Sequence, residues 1–84
     1  MRIFSRKTAP TAQEREEYTN ALVDLFQRLE EVTPEDMSEQ TPRWVELLRL
    51  DKTVSAQSGV YKERFGQSQQ KLAWDEANRR MKIK

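Results

Sequence analysis

An alternating apolar spacing near the start of the chain constrains the fold more than any other feature of the sequence. Five apolar residues, here called the seam, follow one another at intervals of 4, 3, 4 and 3: Tyr18, Leu22, Leu25, Leu29 and Val32. This spacing places their side chains on one stripe of an α-helix, as in a helix that packs along a partner helix. Ala21 and Phe26 widen the stripe, so we expect a buried face broader than that of a simple coiled coil.

Capping signals divide the chain into helical segments. Thr11 and Glu14 have the spacing of a capping box, in which each residue satisfies the backbone N–H of the other. Threonine followed by proline occurs at Thr33 and again at Thr41, a combination typical of a helix start. The sequence therefore predicts a single helical domain, 1–84, with a flexible basic segment at 1–10 and helices at 12–32, 34–39, 42–65 and 68–82.

Beyond residue 42, two neighbouring stripes indicate a helix that touches two partners. The first stripe, which we expect to be buried, consists of Leu47, Leu50, Val54, Ser58, Tyr61, Phe65, Ser68 and Leu72. The second begins with Trp44 and Leu48 and continues with small residues, namely Ser55, Gly59, Gly66, Ala73 and Ala77. The unbroken phase favours one long helix, whereas Gly66 followed by Ser68 favours a C-terminal cap and a new N-cap. We expect the helix to end at Gly66 and a new helix to begin at Ser68.

These patterns predict an all-α protein, either a small three-helix bundle or an elongated helical hairpin with a short connecting helix. Of the 84 residues, 35% are charged and only 2 are glycine, a composition that suits solvated helices. No stretch approaches the roughly 20 apolar residues of a membrane span. We therefore expect a soluble, cytoplasmic protein with no membrane partner.

Catalytic chemistry has little support in the residue types present. The chain contains no histidine and no cysteine, which removes the commonest general base, the thiolate nucleophile and most zinc ligands. The carboxylates show neither an EF-hand spacing nor a nearby glycine-rich phosphate loop. We therefore expect no enzyme activity, no catalytic or metal site and no cofactor.

Charge is divided unevenly along the chain. Residues 10–42 carry nine acidic and two basic side chains, whereas residues 43–84 carry five acidic and ten basic ones. Two interpretations are open: the two halves pair within the chain, or the basic half faces a polyanion.

The leading functional prediction is a non-catalytic protein-interaction module, with an assembly, adaptor or inhibitor role, that binds a protein partner and can form a homo-oligomer. On a helical wheel, Trp74 points nearly opposite the large apolar stripe. An exposed indole beside a basic helix end can anchor a partner. The expected partner-binding residues are Trp74, Arg79, Arg80 and Lys82.

The alternative is a small DNA- or RNA-binding regulator that uses the basic half. Residues 54–65 resemble the core of a helix-turn-helix, with Ser55 and Gly59 at its small-residue and turn positions. Ser58 and Ser68 depart from that pattern, because both positions normally carry apolar side chains. The resemblance implies a turn at Gly59 and a reading helix after it. The expected nucleic-acid contacts are Lys62, Arg64, Lys71 and Lys84.

Overall fold

The structure, a computed structural model, describes residues 8–83, and this part of the chain is helical with no strand. The helices are α1 (Ala12–Glu31), α2 (Pro34–Glu39), α3 (Pro42–Phe65) and α4 (Gln67–Ile83). α1 packs against both α3 and α4, and α3 packs against α4. The all-α prediction is confirmed as a small helical bundle, with extents of 57 × 27 × 17 Å. Most of the basic segment expected at 1–10 lies outside the described residues.

Threonine side chains set the starts of the first three helices. Thr11 Oγ1 accepts a hydrogen bond from the Glu14 N–H at 3.0 Å, and the Glu14 carboxylate accepts one from the Thr11 N–H at 2.9 Å. Thr33 and Asp36 form the same reciprocal pair at α2, and Thr41 caps α3. Asp36 also accepts a hydrogen bond from the Thr41 hydroxyl at 2.8 Å. The three predicted threonine caps are confirmed, and a hydrogen bond between Thr41 and Asp36 connects the start of α3 to α2.

A single residue, Gly66, separates α3 from α4. Its φ of 98° and ψ of 160° lie in a region that is essentially restricted to glycine. Its N–H donates to the Lys62 carbonyl at 2.8 Å and so closes α3. The break predicted at Gly66 is confirmed. The N-cap predicted at Ser68 is wrong, because α4 already begins at Gln67 and Ser68 is exposed in its first turn.

The turn that the helix-turn-helix resemblance implies at Gly59 is wrong. α3 is continuous from Pro42 to Phe65, so residues 54–65 form one helix rather than two. A Cβ atom built on Gly59 would meet nothing within 4 Å. No close approach of a second helix therefore requires glycine at this position.

The core lies where α1, α3 and α4 meet. Its residues are Tyr18, Leu22, Leu25, Leu47, Val54, Tyr61, Phe65, Ala73 and Ala77. Of the α4 side chains that the structure describes, the core contains the two alanines, and their small size lets the backbone of α4 lie close to α1. Among the helices described, none has an apolar stretch long enough to span a bilayer.

Three residues predicted to be buried are exposed, namely Leu29, Leu72 and Ser68. Leu72 is 56% exposed, because the bend at Gly66 changes the helical phase and turns the alanines of α4 inward instead. Leu29 of the seam is 51% exposed. The ring and hydrogen-bond contacts that α4 makes with α1 fall between Glu16 and Phe26, so α4 does not reach Leu29.

We expect Leu25→Ala to lower the free energy of unfolding by about 2–4 kcal/mol, because the substitution leaves a cavity among buried side chains. Leu29→Ala removes the same atoms from the same stripe but should cost less than about 1 kcal/mol, since much of that side chain already contacts water. Urea denaturation followed by circular dichroism measures both values. Equal losses would contradict the assignment of Leu29 to the surface.

Candidate functional site

The buried hydroxyl of Tyr18 joins the three long helices. Tyr18 Oη and Ser58 Oγ of α3 are hydrogen bonded at 2.6 Å. Trp74 Nε1 of α4 donates to Tyr18 Oη at 3.1 Å, and Gln70 Nε2 donates to Ser58 Oγ at 2.5 Å. We call these four residues the tyrosine node. Its hydrogen bonds satisfy polar groups whose burial would otherwise cost free energy, and they connect α4 to both of its neighbours.

A second set of contacts between α4 and α1 is made by Arg80. Its Nη1 and Nη2 atoms donate to the two carboxylate oxygens of Glu16 at 3.0 and 2.8 Å, a bidentate arrangement. Arg80 also donates to Asn20 Oδ1 and to Glu76 Oε2, each at 3.0 Å. The hydrogen bond from Arg80 holds the pKa of the Glu16 carboxyl below its ordinary value. Arg80, predicted to bind a partner, is thus engaged within the chain.

The other predicted cations of α4 lie on its surface. Arg79 forms an ion pair with Glu76 of the same helix, and Lys82 is exposed near the helix end. Lys71, expected to contact nucleic acid, lies 3.2 Å from the Asp75 carboxylate. Two of these cations are therefore close to carboxylates of their own helix.

The predicted nucleic-acid contacts of α3 lie at its C-terminal end. Arg64 Nη2 is 3.2 Å from Glu14 of α1, and the Arg64 guanidinium lies 4.7 Å from the centroid of the Phe65 ring. Lys62 is exposed, and Lys84 lies outside the described residues. Together with the Arg80 ion pair, the Arg64 contact supports the interpretation that the acidic and basic halves pair within the chain.

Trp74 stands at the edge of apolar side chains that α4 leaves uncovered. Its ring centroid is 5.1 Å from that of Phe26, yet the residue remains 40% exposed. The exposed Leu29 lies one turn further along α1. On α3, which packs against α1 to form a hairpin, Leu48 is 47% exposed and Trp44, one turn before it, is partly buried. We call Phe26, Leu29, Trp44, Leu48 and Trp74 the open surface.

The helical spacing places the open surface on the side of the α1–α3 hairpin that carries α4. On α3, Leu48, Asp51 and Ser55 follow one another at intervals of three and four and therefore share a stripe. Asp51 and Ser55 line a cleft of about 340 Å³ together with Trp74. Leu48 thus extends the face on which α4 rests toward the end of the hairpin.

The sequence predicts the exposure of Trp74 but not that of Leu29, and it does not identify Leu48 as part of a site. The lengths of the helices could have indicated that Leu29 and Leu48 are exposed. At 1.5 Å per residue, the 24 residues of α3 span about 36 Å, whereas the 17 residues of α4 span about 26 Å. A helix of that length cannot cover the whole hairpin, and its direction also leaves Leu29 uncovered, because Trp74 contacts Phe26 whereas Arg80, nearer the end of α4, contacts Glu16 and Asn20.

Comparisons with protein-family models, with curated proteins and with solved structures find no match for this chain. Within residues 8–83, no group of three or more acidic side chains is arranged to hold a metal ion. Function is therefore inferred from the geometry of the chain alone.

The Glu16–Arg80 pair should make stability depend on pH. Because the folded pKa of Glu16 is lowered, its contribution is complete above the ordinary pKa and is lost as the pH falls through the folded value. We expect the melting temperature of the wild-type protein to fall on acidification from about pH 6 to about pH 3. Arg80→Gln should have a lower melting temperature than the wild type at pH 6, and its melting temperature should fall by less on acidification.

Thermal unfolding followed by tryptophan fluorescence measures this difference. Arg79→Gln is the matched control, because Arg79 pairs within α4 and its loss should leave the pH dependence close to that of the wild type. Glu14 and Asp36, whose pKa values are also lowered by hydrogen bonds from threonine caps, contribute equally in all three proteins. An unchanged pH dependence in Arg80→Gln would contradict the assigned role of the pair.

Proposed function

We propose that this protein is a non-catalytic helical module that binds a protein partner through the open surface. The observation that carries the proposal is the exposure of large apolar side chains on α1 and α3 beyond the part of these helices that α4 contacts. Leu29 of α1 and Leu48 of α3 are both about half exposed, and Trp74 of α4 is 40% exposed. Contiguous exposed apolar side chains are typical of interaction sites. Tryptophan, present twice in the open surface, is the residue most enriched among those that dominate binding energy.

The position of the open surface favours an amphipathic helix as the partner element. α4 already docks as a helix on the adjoining part of α1 and α3, so a helix of the partner can pack beside Trp74 on the same side of these helices. Its apolar side chains at helical spacing would enter between Leu29 and Leu48.

An assembly, adaptor or stoichiometric inhibitor role fits such a module. Each of these roles acts by occupying a partner and needs no reacting group. We also propose that this module acts in the cytoplasm.

The nucleic-acid alternative has weaker support. Arg64 and Lys71, expected to contact phosphates, lie within 3.2 Å of carboxylates. A phosphate would have to displace these carboxylates, which reduces the gain from each contact. The continuity of α3 through Gly59 also removes the separate reading helix on which the alternative relied.

Replacing both Leu29 and Leu48 by lysine should abolish partner binding while leaving the fold intact, because both side chains already reach solvent. Val60→Lys is the matched control, since Val60 is 59% exposed on α3 and lies outside the open surface. In affinity purification from a lysate of the source cells, the wild type and Val60→Lys should retain the same protein in stoichiometric amount. The double variant should lose it.

Equal retention by all three proteins would contradict the proposal. Tight binding of random duplex DNA that weakens steeply from low to high salt would contradict it too, because this dependence is characteristic of phosphate contacts. That second result would establish the nucleic-acid alternative.

A further inference from the structure

We propose that α4 exchanges between two copies of this chain. In the resulting domain-swapped dimer, α4 of each copy docks on α1 and α3 of the other. The surface involved is the one that α4 occupies within a single chain, and the partner is a second copy. This inference is independent of the partner-binding role of the open surface, because the exchange rebuilds each open surface with Trp74 supplied by the other copy.

The hinge for such an exchange is the single residue between α3 and α4. Gly66 holds a backbone conformation that other residues adopt only under strain. Glycine itself is not strained there, but a connection this short can exchange a helix by changing the conformation of one residue, and substitutions in such hinges favour domain swapping. If Gly66 became helical, α3 and α4 would merge into one helix over residues 42–83, about 63 Å long. α4 would then lie beyond the reach of its own α1.

The apolar pattern of the sequence fits the merged helix. In a continuous helix, Leu72 falls on the stripe of Tyr61 and Phe65. In the closed chain, the bend removes Leu72 from that stripe and exposes it to solvent. Straightening at Gly66 therefore restores a continuous apolar face close to the point where the two copies would cross.

Exchange preserves the contacts that hold α4 in place. The Trp74–Tyr18 hydrogen bond and the bidentate Arg80–Glu16 pair each join α4 to another helix. Burial of Ala73 and Ala77 likewise depends on helices other than α4. Each of these contacts can recur between copies in the same geometry, so the closed chain and the swapped dimer differ mainly at the hinge.

Gly66→Ala should favour the dimer, because alanine is strained in the closed hinge and relaxed in a continuous helix. We expect the dissociation constant of the dimer to fall roughly tenfold or more. Analytical ultracentrifugation measures it as a shift from the 10.0 kDa of one chain toward twice that mass. Gly59→Ala is the control, since Gly59 lies inside α3 and a Cβ there meets no neighbour. If Gly66→Ala and Gly59→Ala sediment alike, the proposal is overturned.

A charge reversal distinguishes α4 exchange from any other dimer. Glu16→Arg and Arg80→Glu each place like charges at the α1–α4 contact of a single chain. When the two variants are mixed, both swapped contacts join opposite charges, because α4 of either variant meets α1 of the other. Native mass spectrometry should show a 1:1 heterodimer in the mixture and little dimer in either variant alone.

Helicity provides a second readout of the same mixture. If either variant is unfolded alone, a gain of helical circular dichroism on mixing supports the exchange. Monomers only, or homodimers and heterodimers in statistical proportion, would overturn it, because neither result requires α4 to cross between chains.

Discussion

The buried hydroxyl of Tyr18 needs hydrogen-bond partners, and the rest of the structure depends on how it obtains them. A buried hydroxyl without a partner costs about 1–3 kcal/mol, a large share of the stability of a small domain. Ser58 of α3 and Trp74 of α4 supply the partners. The same two bonds set the register of α3 against α1 and the position at which α4 docks. The need of Tyr18 for a hydrogen-bond partner explains why Ser58, a residue with a hydroxyl, lies within the apolar stripe of α3.

Docking of α4 at Tyr18 leaves the far end of the hairpin without cover. The indole of Trp74 turns its N–H inward and leaves part of its ring in solvent, next to Phe26. The seam therefore has two uses: its first three residues belong to the core and Val32 packs against it, whereas Leu29 belongs to the open surface. The single-residue hinge at Gly66 follows from the same arrangement, since α4 must turn sharply to reach Tyr18.

The sequence predicts local features well because their causes are local. Thr11, Thr33 and Thr41 cap their helices through atoms three residues away, and the observed bounds of α2 and α3 agree with the expected ones. The sequence places Leu29, Ser68 and Leu72 on buried stripes, whereas all three are exposed, because their burial depends on the direction that α4 takes after Gly66. The role of Ser58 could not be predicted, since its partner Tyr18 lies 40 residues away.

Tyr18→Phe tests the central role of the Tyr18 hydroxyl most directly. The substitution keeps the ring that stacks on Tyr61 and removes only the oxygen atom that Ser58 and Trp74 share. In a Trp44→Phe background, where Trp74 is the sole tryptophan, we expect a red-shifted tryptophan emission and a free energy of unfolding lower by about 1–3 kcal/mol. Unchanged emission and unchanged stability would contradict the account.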